Sequence, residues 1–250
     1  MSPELYVIAG PNGIGKTTSA FDLIPANIPI VNSDEIAAAV RDAGLVNTNT
    51  QEYGNREANR LISEYLNQKN SFAIETNLSD IDTWKFLIET QKTGYNINVI
   101  YLSTDHLHLL NARIDQRVLA GEHYVRPDIV EERYINSLNL LNHYFRIPNQ
   151  IQLFDNSKSL QLVAEIKQGQ IIELHDPLPT WVENHLAEHF SKEKKASEKK
   201  TLDMDSIEEV RKSYQAFKQK ADELFKHKKE AQQKEIKKSQ PKKRGKKPGL

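Results

Sequence analysis

The run Gly10-Pro-Asn-Gly-Ile-Gly-Lys16-Thr17 constrains this chain more than any other feature in it. It satisfies G-x-x-x-x-G-K-[ST] at every fixed position, and it lies between the apolar run Leu5–Ala9 and a helix-forming segment that begins at about Lys16. A loop of this kind can wrap a phosphate in its backbone N–H groups only if a buried strand delivers it and a helix N-terminus follows. The residue types fit that task. Gly10, Pro11, Asn12, Gly13, Ile14, Gly15, Lys16, Thr17 and Thr18 are therefore assigned to a nucleotide-binding loop. Lys16 reaches the β- and γ-phosphates, and Thr17 offers its hydroxyl to Mg²⁺.

Strand-like and helix-like segments alternate after the loop. Short apolar runs end at Val31, at Thr76 (SFAIET), at Leu102 (NINVIYL) and at Phe154. Helical patterns cover 35–41, 51–68, 81–93, 105–120 and 127–144, and 163–174 reads as a small terminal hairpin. This order predicts an α/β fold of the P-loop NTPase type: a mostly parallel sheet with helices on both faces.

Two acids stand at predicted strand ends, Asp34 in VNSDE and Glu75 in AIETN. In an open α/β sheet the strand C-termini border the ligand crevice, so both carboxylates face the phosphate loop. A carboxylate there can take the proton of an attacking hydroxyl and hold it in line with the γ-phosphorus. The alternative for Asp34 is the N-cap of a helix beginning at Glu35; for Glu75 it is a buried partner for a nearby cation. No apolar strand ends in the clean acidic pair usual for an ATP-driven machine. Further along, ARIDQRVLAGEHYVRPDIVEERY sets Arg113 and Arg117 four residues apart on a helix, then a loop around Gly121, then Arg126 and Arg133. Guanidinium forks suit phosphate oxygens, and a loop between two helices can close over a nucleotide. His123 reads as a loop residue rather than a base.

These residues together resemble the zeta-toxin-like P-loop kinases over about residues 4–180. The resemblance rests on GPNGIGKTT, VNSDEIA, AIETNLS and R-x-x-x-R-V-x-x-G-x-H-x-V ahead of ERYINSLNLL. It implies transfer of the γ-phosphate of ATP, with Mg²⁺, to a small-molecule hydroxyl; in toxin members the acceptor is the 3′-hydroxyl of a UDP-N-acetyl amino sugar. By position it makes Lys16, Asp34, Arg113 and Arg126 the catalytic set, with Asp34 the base. Glu75, Asn77 and Arg117 fall on the substrate side. An antitoxin is the protein partner that such a resemblance implies.

Charge divides the chain. Residues 1–180 carry 14 Lys and Arg against 22 Asp and Glu, and residues 181–250 carry 20 against 12. With Pro177 and Pro179 just before the change, the chain reads as a kinase domain over 1–180, a linker over 181–202, an amphipathic helix over 203–238 and a basic disordered tail over 239–250. In the helix, Ile207, Val210, Tyr214, Phe217, Ala221 and Leu224 fall at steps of three and four behind the capping box Ser206-Ile-Glu-Glu209. That stripe needs a partner: the kinase body, a second copy, or another protein. The basic end fits either a solvated tail or contact with nucleic acid, so a polynucleotide kinase or a nucleic-acid-docked ATPase stands as the alternative function. The absence of cysteine excludes disulfides and thiolate-held metals, and no apolar run approaches a membrane span, so the expected address is the cytoplasm.

Overall fold

A computed structural model of the chain describes residues 2–44, 49–119 and 124–190. Seven strands form one sheet in the order β2-β3-β1-β4-β5-β6-β7. Here β1 is Glu4–Ala9, β2 Ile30–Val31, β3 Phe72–Thr76, β4 Asn96–Ser103, β5 Gln150–Asp155, β6 Gln161–Lys167 and β7 Gln170–Leu174. The first five are parallel; β6 and β7 add an antiparallel hairpin at one edge. The helices are α1 Lys16–Leu23, α2 Ser33–Asp42, α3 Thr50–Gln68, α4 Ile81–Lys92, α5 Leu107–Leu119, α6 Pro127–His143, α7 Thr180–His185 and α8 Ala187–Phe190.

The central strands are apolar on both faces because helices cover both. In β4 every residue after Asn96 is buried, and in β1 so are Leu5, Val7, Ile8 and Ala9. Large side chains complete the packing: Trp84 of α4 stacks on Tyr144 with ring centroids 4.9 Å apart, both rings nearly inaccessible.

Register decides what meets at the sheet's C-terminal edge. Ile8 pairs with Glu75 and Ala9 with Thr76, so the phosphate loop leaves β1 beside the end of β3. Val31 pairs with Ile74, which sets Asn32, Ser33 and Asp34 next in line, and Ser103 pairs with Asp155 on the other side. The chain leaves β1 toward β2 and β3 on one side and reaches β4 and β5 on the other. The crevice over β1 is thus the switch point where ligands of open α/β sheets bind.

The linker expected from residue 181 begins instead as structure. Residues 180–190 form α7 and α8, and Trp181, Val182 and Leu186 are buried in the fold. They belong to the same compact unit as the sheet. The helix expected over 203–238 and the basic end over 239–250 lie outside the described residues, as do Gly121, Glu122 and His123. No described helix is long and apolar enough to cross a membrane.

Candidate active site

The phosphate loop is held by close backbone contact. Gly10 has φ 136°, and a Cβ there would lie 2.2 Å from the Leu102 carbonyl oxygen; Gly13 has φ 79° and the Leu110 carbonyl 2.6 Å from the same point. Only glycine fits either place. Lys16 is 7% exposed and its ammonium bends back over the loop, donating to Gly10 O at 2.9 Å, Pro11 O at 3.1 Å and Asn77 Oδ1 at 3.1 Å. Burial pulls it down to about 8; Glu75 and Asp34 oppose that fall, and the charges of Arg117 and Arg133 add to it. Thr18 is exposed on α1.

Glu75 joins three elements. Its Oε2 accepts from Thr17 Oγ1 at 2.9 Å and from Asn32 Nδ2 at 2.8 Å. Asn32 in turn uses Oδ1 to cap α2, accepting from Asp34 N at 2.9 Å and Glu35 N at 3.3 Å. The cap of α2 is therefore Asn32, neither Ser33 nor Asp34, and the Asp34 side chain is left for other work. It stands exposed at the site's rim, with Oδ1 accepting from Gln51 Nε2 of α3 at 2.9 Å. Beside it, the Glu35 carboxyl is held above its ordinary range by burial and by Glu75. Between α1, β2 and α2 a cavity of about 260 Å³ runs from Thr17 and Glu75 along Ala20, Ile24 and Ile30.

The arginines sort themselves. Arg133 of α6 donates from Nη1 to Asn12 Oδ1 in the phosphate loop at 2.9 Å. Arg117, like Arg133, is near enough for its charge to weigh on Lys16. Arg113 points to the end of β5, donating from Nη2 to Asn156 O at 3.1 Å. Arg126 stands at the N-cap position of α6 without a side-chain capping bond and pairs with Asp128 at 3.1 Å, its side chain 58% exposed. Of the two arginines expected at the chemistry, neither touches the phosphate loop through a direct hydrogen bond. Arg133, which the spacing singled out only as a later member of the segment, does.

Two polar residues escaped the sequence reading. Asn32 could have been found, since asparagine before Ser-Asp-Glu is a helix-start signal. Asn156 donates from Nδ2 to the Ile14 carbonyl at 2.7 Å, and nothing in the run FDNS announces that partner.

The donor set also bears on magnesium. A hydroxyl and a carboxylate held 2.9 Å apart suit a hard cation that takes most of its remaining ligands from phosphates and water. Among the described residues no group of three or more His, Cys, Asp or Glu side chains is placed to hold a metal. The site thus fits an ion that arrives with a nucleotide rather than one caged by protein.

Comparison with known proteins bears on the whole of this unit. The family model described as Zeta toxin matches residues 1–177. An uncharacterised protein of Haemophilus influenzae is 27% identical over 144 residues, 54% of this chain and 94% of that one. The structure of AvrRxo1-ORF1:-ORF2 with ATP superposes with a TM-score of 0.59 at 15% identity, over 79% of this chain; this chain spans 66% of that one, just under two thirds. The PezAT toxin–antitoxin system of Streptococcus pneumoniae gives a TM-score of 0.51 at 14% identity, over 66% of this chain and 72% of that one.

Proposed function

The chain belongs to the zeta toxin family, and from that premise we propose that it is an ATP-dependent kinase that moves the γ-phosphate onto a hydroxyl of a small molecule. The observation that carries the reading is the hydrogen-bonded chain Thr17–Glu75–Asn32–α2. It ties the phosphate loop to the start of the helix that bears Asp34, which supports a base held near the nucleotide. Rigid placement of the reacting groups supplies most of the catalysis in phosphoryl transfer, where little covalent chemistry falls to the protein.

Each residue has a task in this account. Lys16 swings from the loop carbonyls to the phosphates, exchanging partners it holds only by hydrogen bonds. Arg133 and Arg117 neutralise charge on the transferring group from α6 and α5. Asp34 takes the hydroxyl proton as the acceptor oxygen bonds to the γ-phosphorus and ADP departs. Glu75 holds the Thr17 hydroxyl in place by accepting its hydrogen bond. A magnesium ion bound with ATP at Thr17 and Glu75 would draw charge from the phosphate oxygens. The first acceptor to try is a UDP-N-acetyl amino sugar, as the toxin members of the family suggest. A small antitoxin protein is the partner to seek first, by analogy with the PezAT system.

The test is to incubate the protein with ATP and a fractionated metabolite extract, with the UDP-amino sugars included, and to search by mass spectrometry for species gaining one phosphoryl group. The account expects one such product, lost with Asp34→Asn. Release of inorganic phosphate with no phosphorylated small molecule would overturn it.

A further inference from the structure

A phosphate loop that turns its N–H groups inward turns carbonyls outward, and those need partners of their own. At Ile14 the carbonyl is met by Asn156 Nδ2 at 2.7 Å. The next residue, Gly15, has φ 95°, and a Cβ there would lie 3.1 Å from the same amide nitrogen, so the asparagine closes the back of the loop with no room to spare. Asn156 is itself fixed on both sides: its N–H donates to Ser103 O at 2.8 Å and its carbonyl accepts from Arg113.

The residue before it is held from the far end of the domain. Asp155 Oδ2 accepts from Trp181 Nε1 at 3.1 Å, and Asp155 also takes the N–H and hydroxyl of Ser157. Trp181 is 2% exposed and packs near Tyr101; its backbone N–H and that of Thr180 both donate to Asp105, so the start of α7 is anchored at the ends of β4 and β5 together. From these contacts we propose that Asn156 is a positioning residue of the nucleotide site, holding the phosphate-loop backbone in its binding form, and that α7 acts as a latch that holds Asn156 through Trp181 and Asp155. The inference rests on the nucleotide-site reading above and adds to it a part played by a helix remote in sequence.

A positioning role and a merely structural one differ in what they move. The loop leaves a structural core largely intact when it relaxes, so nucleotide affinity falls while the melting temperature changes little. Binding of a non-hydrolysable ATP analogue to the full chain, measured by calorimetry with magnesium, is the readout. Asn156→Ala and Asn156→Asp both remove the donor, and the second keeps the shape. Each is expected to weaken binding roughly tenfold or more, the scale of one lost hydrogen bond with an orphaned carbonyl behind it. Trp181→Phe removes the Nε1 donor and weakens binding several-fold. In the double variant Trp181→Phe with Asn156→Ala, the second change adds nothing, because both act through one contact. Should Trp181→Phe melt too early to assay, Asp155→Asn weakens the same latch without opening a cavity and completes the cycle. Asparagine variants that bind within about twofold of wild type would overturn the proposal, and additive losses in the double variant would overturn the latch. A wild-type protein that binds no nucleotide would instead refute the kinase reading itself, so the two failures are distinguishable.

Discussion

Lys16 carries the clearest consequence of burial in this molecule. Its ammonium is drawn from 10.5 to about 8 by its surroundings, so below about pH 8 the folded chain bears the cost of a buried charge, a cost relieved as pH rises toward the unfolded value. Nucleotide phosphates reverse the balance by favouring the charged form. ATP affinity is therefore expected to hold steady below about pH 7 and to fall as pH rises through 8, by up to about tenfold per unit once the free protein has lost the proton. Lys16→Arg, which does not titrate in this range, flattens the curve; calorimetric titrations from about pH 7 to about 9.5 on both proteins would expose a wrong assignment as two parallel profiles. At Asp34 the expected outcome of Asp34→Asn is a fall in kcat of at least about 10²-fold with ATP affinity little changed, since Asn32, not Asp34, caps α2. The positions of Lys16 and Glu75 were legible because motif and strand end are written locally; Asp34, expected at a strand end, lies instead in the first turn of α2, which begins at Ser33. Asn156 was not legible, because its meaning is a contact 142 residues away in sequence, between a side chain and a backbone carbonyl.

Among the elements, α2 and α3 form the wall that carries Asp34, and a single glycine sets their separation. Gly54 of α3 lies against α2 so closely that a Cβ would come within 2.4 Å of the Ser33 carbonyl and 2.9 Å of the Ala37 Cβ. Gly54→Ala is expected to push the helices apart, costing about 1–3 kcal/mol of stability by chemical denaturation and displacing the Gln51–Asp34 contact, with a loss of kcat beyond the loss of fold. The helices α5 and α6 order the arginines. Arg133 touches the loop and Arg126 holds an exposed pair with Asp128, worth at most about 1 kcal/mol. Single-turnover transfer is accordingly expected to fall by roughly 10³-fold in Arg133→Lys and by far less in Arg126→Lys, and the reverse order would move the chemistry to the loop before α6. Most elements could be read from the chain because their apolar runs and helical stripes are complete within themselves. The 181–190 segment could not. Pro177 and Pro179 just before it look like a boundary, and the contacts that bury Trp181, with Tyr101, Asp105 and Asp155, all lie upstream in sequence.

At the scale of the whole molecule the acidic α/β unit and the basic remainder are separable predictions. If the chemistry belongs to the α/β unit, removal of residues 202–250 leaves transfer to a small acceptor intact; a loss of substrate affinity that also abolishes its salt dependence would favour the nucleic-acid alternative. The mostly parallel sheet followed from the alternation of segments, whereas the strand order that puts the switch point over β1 and the wiring across that edge, Thr17–Glu75–Asn32 on one side and Ile14–Asn156–Asp155–Trp181 on the other, exist only once five strand ends are side by side. The central claim is that this edge moves a phosphoryl group from ATP to a small hydroxyl under the control of Lys16. Its most direct measurement follows ATP labelled in the γ-phosphate, incubated with wild type and with Lys16→Ala in a cell extract separated into inorganic phosphate, small molecules, protein and nucleic acid. The account predicts label in one small organic phosphate with wild type and none with Lys16→Ala; label in nucleic acid or free phosphate alone, or an unchanged pattern in the variant, would contradict it.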